Sequence, residues 1–484
     1  MRKSVCKNYI YNLIYEIITL LVPLVTTPYI SRVLGAEGIG TYSFTYNNAA
    51  YFTYFAALGT TVYARREIAY LQDDRIKRSQ LFWEVITLRL ATTIISTIGY
   101  LVFWLLSGRD TIVLIQGIYI IAVFFDITWL FQGMENFGVV VLRNIVIKAV
   151  GVIFIFIFVK QRSDLILYII ESAAMPLIGS FILWFGVKKI VSKPDFHHLD
   201  IKRHLKGSFA LFIPTIAAQV YLLLDKTMIG TISTGSVENG YYEQAQKIIR
   251  ICWTFVTTFG TVMSPRLAYV FSNKDWSEVR QQMRHSFRVV WFLAIPIALG
   301  LISITDSLVP WFFGEEFLSV KVLLYVFSWI VIPVGVNAIT GNQYLVATKR
   351  QTWYTISVIV GSCSNFILNL ILIPRLLSTG AAIASVIAEI LIAGVQIYYI
   401  VIKLKELSLR DVSNGALRYF VSGGIMMAVN LFVSRFLPST MCSTLLLVAL
   451  GAILYIGILL ILKDVIVMSG LHKLTGTVKK FIHR

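Results

Sequence analysis

Charge is scarce in this chain. Of 484 residues only 14% are Asp, Glu, Lys or Arg, whereas 57% are hydrophobic, and a soluble domain carries about a quarter of its residues as charges. That excludes an ordinary water-soluble fold and makes lipid the solvent for most of the surface. Acidic residues are scarcer still, 25 against 43 Lys and Arg, for a net charge of +18. In a soluble protein this excess would suggest nucleic acid, but on a membrane protein it marks loops facing anionic headgroups. There are four cysteines, Cys6, Cys252, Cys363 and Cys442, too far apart in sequence for the paired spacing of a zinc site or redox disulfide. No phosphate-cradling Gly-Lys loop and no His-Glu-x-x-His helix occurs. His197-His198 stands beside Asp195 and Asp200, a pattern that a solvated turn explains better than a metal site. No metal or cofactor is expected. Met1-Arg2-Lys3 runs into an apolar stretch with Glu16 and Pro23, then Arg32, with no small-residue cleavage site, so it reads as an uncleaved first helix.

What the chain has is apolar runs. Stretches of about twenty residues, enough to cross a bilayer, recur at 9–31, 40–64, 81–106, 111–133, 137–159, 164–187, 206–231, 237–263, 286–312, 318–346, 352–373, 379–402, 414–436 and 440–462. Fourteen spans place both termini on one side. Of the 43 basic residues, 31 then fall in connections on that side, Arg143 among them, and seven on the other. The asymmetry assigns both termini to the cytoplasm. No outer loop is long enough to house an extramembrane catalytic domain, which favours a carrier over a membrane glycosyltransferase or ligase.

Two segments repeat at an offset of 200 residues. Gly35, Gly40 and Tyr42 recur as Gly235, Gly240 and Tyr242, Thr61-Val62 as Thr261-Val262, and Arg66 as Arg266. Several matches in register argue for duplication. The expected architecture is therefore all-α and integral to the membrane, with two six-helix bundles in a parallel repeat and two appended helices. Residues 1–190 form the first half, 191–205 a cytoplasmic linker, 206–404 the second half, and 405–484 the last two helices and tail. Carriers built from such repeats hold substrate between halves that rock against each other. Prolines in spans 1 and 7 (Pro23, Pro28, Pro214) are candidate hinges, since each removes a backbone hydrogen bond.

Ionisable residues at hydrocarbon depth cost a few kcal/mol or more each and usually face a cavity or a partner. Spans 3, 5, 7 and 8 carry Arg89, Lys148, Asp225-Lys226 and the Glu243, Lys247, Arg250 series. In span 8 the steps of four and three put Glu243, Lys247 and Arg250 on one face. Arg89, Lys148, Lys226, Lys247 and Arg250 are candidates to hold an anionic cargo such as a pyrophosphate. Snorkelling is an equal account of Arg89, and a local ion pair of Asp225-Lys226. Glu16, Asp126, Glu171, Asp225, Glu243 and Glu389 suit either coupling to a proton or sodium gradient or neutralisation of the basic residues.

The N-terminal segment carries Asn12, Pro23, Pro28-Tyr29, Arg32-Val33-Leu34-Gly35, Gly38, Gly40, Tyr42-Ser43-Phe44, Tyr51-Phe52, Leu58-Gly59 and Arg66-Glu67-Ile68-Ala69. This pattern resembles the opening of bacterial polysaccharide-biosynthesis flippases of the Wzx type, in the superfamily of multidrug and toxin extruders and lipid II flippases. The resemblance covers residues 8–70 and adds Arg32 to the candidate site. It implies a plasma-membrane flippase that moves an undecaprenyl-pyrophosphate-linked oligosaccharide repeat unit to the outer leaflet by alternating access, for capsule, exopolysaccharide or O-antigen. Its partners would be the lipid-linked glycan and the bilayer, with a polysaccharide polymerase and glycosyltransferases acting in the same pathway. A lipid II flippase or an ion-coupled multidrug exporter of the same architecture is the alternative. The basic face of span 8 disfavours an exporter of cationic drugs.

Overall fold

The computed structural model describes residues 2–193, 199–233, 235–273 and 275–471, leaving aside the side chains of 2–10, 12–17, 214, 217, 218, 220–222 and 261. Glu16, Pro214, Asp195 and His197-His198 thus lie outside the described side chains. Among the described residues the regular structure is helical throughout, as a membrane protein requires: lipid offers no water to bond a bare backbone, and a helix satisfies its own N–H and C=O groups.

The helices in chain order are α1 (Arg2–Ala57), α2 (Thr60–Tyr70), α3 (Arg75–Leu106), α4 (Thr111–Gln116), α5 (Ile118–Phe125), α6 (Thr128–Gly133), α7 (Phe137–Phe158), α8 (Leu165–Ile190) and α9 (Lys202–Ile232). They continue with α10 (Val237–Ser272), α11 (Trp276–Phe313), α12 (Val320–Phe327), α13 (Val331–Asn337), α14 (Gln351–Tyr398), α15 (Leu409–Val412), α16 (Ala416–Ser434) and α17 (Met441–Ile461). Among the described residues ten stretches are long and apolar enough to cross a membrane. Two of these, Ile18–Tyr70 and Gln351–Lys403, run for 53 residues, or about 80 Å at 1.5 Å per residue against a hydrocarbon layer of about 30 Å. Each contains a break that lets it count twice: Gly35 (φ 69) in α1 and Leu377 (φ 53) in α14. Counting those two stretches twice and adding the more polar α9 and α10 gives fourteen helical segments, in agreement with the apolar runs.

Local chemistry explains where the segments depart from simple rods. The dihedral break in α1 falls at Gly35, not at Pro23 or Pro28, which sit inside regular helix. Gly59 ends the second segment because its φ of 70° is left-handed and a Cβ there would lie 2.4 Å from the Ser208 carbonyl oxygen. The 111–133 run is three short helices: Asp126 is extended (φ −73, ψ 106) and accepts from the N–H of Thr128, the first residue of α6, at 3.1 Å.

Packing groups the chain into two compact units, Met1–Gly240 and Tyr241–Arg484. In the first, α2, α3, α6 and α8 bury Ile68, Phe82, Trp129 and Leu183 in one apolar cluster, while Tyr100 and Ile120 centre a second. In the second, α11, α16 and α17 close over Ile295, Tyr419, Met426 and Tyr455.

Candidate functional site: basic cavities of the first unit

Two cavities open inside the first unit and adjoin at Arg143. One, about 330 Å³, lies between α1, α7 and α8 and is lined by Thr26, Lys148, Tyr168, Glu171 and Arg143. The other, about 340 Å³, is lined by Thr61, Tyr119, Asp126, Arg89 and Arg143. Pro176 also lines both. Three basic and two acidic side chains from α3, α7, α8 and the α5–α6 break therefore surround neighbouring hollows within stretches long and apolar enough to cross a membrane, surroundings in which charges interact more strongly than in water.

Four of the five charges have these anchors in the surrounding helices. The Arg89 side chain is fully buried; its Nε donates to Thr60 Oγ1 at 3.0 Å, Nη2 to Thr61 Oγ1 at 2.6 Å and Nη1 to the Val123 carbonyl at 3.2 Å and to that of Asp126. Arg89 thus does not snorkel: it pins α2 and the end of α5 to α3. Lys148 donates from Nζ to Thr19 Oγ1 of α1 at 2.7 Å. Glu171 is 7% exposed and receives the Ser172 hydroxyl at 3.3 Å. The Asp126 carboxylate takes both the N–H and the hydroxyl of Thr128, each at 3.1 Å, which fixes it to the first residue of α6.

Glycines shape the room around these groups. A Cβ on Gly151 would come within 2.4 Å of Glu171 Oε1, and one on Gly179 within 2.8 Å of Arg143 Nη1. Any larger residue would push a charged group off its place.

The remaining candidates stand elsewhere. Arg32 is exposed on α1, one residue-turn before Gly35, and lines neither cavity. Asp225 on α9 is 6% exposed, with Lys226 half-buried beside it. In the second unit, Lys247 Nζ lies 3.8 Å from Glu243 Oε1 across one turn of α10, and Arg250 is exposed on that helix. Glu389 of α14 accepts from Asn337 Nδ2 of α13 at 2.5 Å.

Sequence reasoning missed two features. Arg143 was expected in a connection, but it sits six residues inside α7 and is common to both cavities. The run 137–159 already contained it, and the basic count drew it out to a loop. Glu84, in the run 81–106, was passed over; it is fully buried and holds Arg203 and His204 at the start of α9.

With this geometry in view, comparison with known proteins identifies the family. The model of the family described as "Polysaccharide biosynthesis protein" matches residues 5–271. The chain belongs to that family. An Escherichia coli (strain K12) protein named "Putative O-antigen transporter" is 23% identical over 82% of this chain and 97% of its own length. A lipid II flippase of Bacillus subtilis is 22% identical over 54% of each chain. Among solved structures, a lipid II flippase in an inward closed conformation superposes with a TM-score of 0.73 at 17% identity, over 95% of this chain and all of that one. A multidrug transporter in an inward-facing conformation gives 0.55 at 12% identity, over 85% and 98%. This polysaccharide-biosynthesis protein thus shares its fold with a solved lipid II flippase and a solved multidrug transporter. It is a multi-pass membrane carrier rather than an enzyme.

Proposed function

We propose that this protein flips an undecaprenyl-pyrophosphate-linked oligosaccharide repeat unit across the plasma membrane by alternating access, with both termini in the cytoplasm. The observation that carries the proposal is the pair of adjoining cavities in the first unit, with Arg89, Lys148 and Arg143 on their walls. A pyrophosphate and a short glycan cannot enter hydrocarbon unaided, and guanidinium and ammonium groups at low dielectric are the chemistry that would receive such a headgroup. The named relatives, an O-antigen transporter by description and a lipid II flippase, handle cargo of that kind by their names, which supports the same class here.

Arg32, Lys226, Lys247 and Arg250 are proposed to assist in binding the anionic cargo. Glu16, Asp126, Glu171, Asp225, Glu243 and Glu389 either balance those charges or couple flipping to a proton or sodium gradient; Glu171, buried on a cavity wall, is the first to test for coupling. Glycosyltransferases would supply the lipid-linked unit and a polymerase would consume it.

The test is reconstitution. Full-length protein in proteoliposomes should move a fluorescent undecaprenyl-pyrophosphate glycan between leaflets, and Arg143→Ala with Lys148→Ala should reduce the rate about tenfold or more. Flipping by the double variant at the wild-type rate would remove the cavities from the mechanism. Absence of flipping by wild type, with transport of lipid II or a cationic drug instead, would replace the cargo.

A further inference from the structure

The second unit holds a third cavity, about 880 Å³, at the Trp276 end of α11. Its wall is basic: Arg280, Arg284 and Lys405, completed by Trp276, Gln281 and Glu406. Arg280 and Arg284 stand one turn apart and share one carboxylate. Asp411, 1% exposed, receives the Arg284 Nε on Oδ1 and lies 3.5 Å from the Arg280 Nε through Oδ2. Asp411 is itself fixed, because the Ser408 N–H and hydroxyl donate to Oδ2 at 2.8 and 2.9 Å. Arg280 Nη2 adds a bond to the Glu406 carbonyl at 3.0 Å.

These anchors leave donors over. The two arginine side chains are 45% and 50% exposed, and among the described residues Arg280 Nη1 and both Arg284 Nη groups take no protein bond. Two guanidinium groups share one buried carboxylate, so one positive charge is left uncompensated. Glu406 does not supply the balance: it is held by both Nη groups of Arg350, one at 2.7 Å, and by the Tyr344 hydroxyl. Lys405 is exposed and makes no ion pair among the described residues. The wall therefore carries about two net positive charges and presents pre-positioned planar donor forks, an arrangement suited to phosphate oxygens.

Placement narrows the source. At 38 residues α11 is about 57 Å long, against about 30 Å of hydrocarbon. Its first turns hold Glu278, Arg280, Arg284, His285 and Arg288 before the apolar run begins. The cavity accordingly lies at or beyond headgroup level.

We propose that this cavity is a phosphate-binding site, taking a phosphomonoester or pyrophosphate group of about two negative charges. The site is independent of the cargo reading, since no residue of it belongs to the first unit. The phosphate can come from an anionic lipid headgroup or from a soluble molecule, and two arms separate them. In one, inorganic pyrophosphate is titrated calorimetrically into full-length protein in detergent at about 0.1 M salt. In the other, retention of phosphatidic acid against phosphatidylcholine is read by native mass spectrometry. Gln281→Glu and Lys405→Gln change exposed wall residues without touching Asp411, and Arg435→Gln is an exposed control. Saturable binding in either arm, weakened about tenfold by both wall variants and unchanged by the control, identifies the source. Lack of binding in both arms, or wall variants that bind like wild type, would overturn the site.

Discussion

Gly40 and Gly240, equivalent positions of the 200-residue repeat, meet backbone to backbone. A Cβ built on Gly40 would lie 2.9 Å from the Gly240 nitrogen and 1.7 Å from the Ser236 carbonyl oxygen; one on Gly240 would lie 2.1 Å from the Ala36 carbonyl oxygen. Thr41 Oγ1 bonds Ser236 Oγ at 2.9 Å beside them, and the Ser236 hydroxyl reaches the Glu37 carbonyl at 3.1 Å. Their repeat companions Gly35 and Gly235 both adopt positive φ, 69° and 95°. At Gly40 and Gly240 the two repeated segments thus approach so closely that a side chain on either glycine would meet the other segment's backbone.

Backbone cannot yield to a methyl group as a flexible side-chain tip can. Gly40→Ala and Gly240→Ala should therefore force the two turns apart, lowering thermal stability in detergent by about 1–3 kcal/mol, the usual cost of overpacking. Gly457→Ala is the matched control, since nothing lies within 4 Å of its Cβ position. Unfolding followed by a thiol-reactive dye separates the outcomes: if Gly40→Ala melts with Gly457→Ala, the close approach is not a stabilising contact.

Charge, rather than bulk, should control the cavities of the first unit. Arg143→Lys keeps a cation but loses the planar fork, so flipping should fall less than with Arg143→Ala. Gly151→Ala alters no charge, yet its Cβ would come 2.4 Å from Glu171 Oε1, and it should slow flipping by displacing that carboxylate. Glu171→Gln should keep the fold and abolish any response of the rate to an imposed proton gradient. Proteoliposome rates with and without a gradient read all three; a gradient response intact in Glu171→Gln would take coupling away from this residue.

The all-helical fold and the apolar segments were legible because each depends on composition or spacing. Apolar runs of bilayer length have only one use, and matches such as Gly40 with Gly240 need no structure to be seen. Which charges share a cavity was not legible, because that depends on helix rotation and on breaks that no periodicity announces. Arg143 is the clearest case: the basic count assigned it to a loop, whereas α7 begins at Phe137 and carries it inward. Arg89 is the converse, a residue open to snorkelling by sequence that is held by Thr60 and Thr61. Those threonines gave no signal, since a hydroxyl in an apolar run usually bonds its own helix.

Two caps outside the spans give a pH dependence with a definite sign. The Lys77 backbone N–H donates to Asp74 at 3.0 Å, and that of Glu278 to Asp275 at 3.0 Å. These backbone bonds hold both carboxyls below their ordinary values. A depressed pKa stabilises the fold above the unfolded value, about 3.9, and the contribution disappears as pH falls through the folded one. Asp74→Asn with Asp275→Asn should flatten the acid limb of melting temperature below about pH 5 while leaving neutral stability nearly unchanged. An acid limb as steep as that of wild type would assign it to other carboxylates.

The most stability should reside where α9 is fastened to α3. Glu84 is fully buried and accepts from His204 Nε2 at 2.7 Å, Arg203 Nε at 3.0 Å, the Asp200 N–H at 2.8 Å and Gln80 Nε2 at 3.1 Å. The other ring nitrogen of His204 lies 2.8 Å from the Tyr63 hydroxyl of α2, so one imidazole, 2% exposed, joins three helices. Removing Glu84 strands the buried His204 ring without its partner, while half-exposed Arg203 can turn to water, at a cost on the order of 1–3 kcal/mol. Glu84→Ala should thus lower the melting temperature more than Lys77→Ala, whose ion pair with Asp74 is surface-exposed and worth about 0–1 kcal/mol. Glu84→Gln keeps the shape and some of the bonds, so it should fall between them. A Glu84→Ala protein that melts with Lys77→Ala would mean that the apolar cluster around Phe82 and Trp129 holds α3 in place and that the polar fastening contributes little.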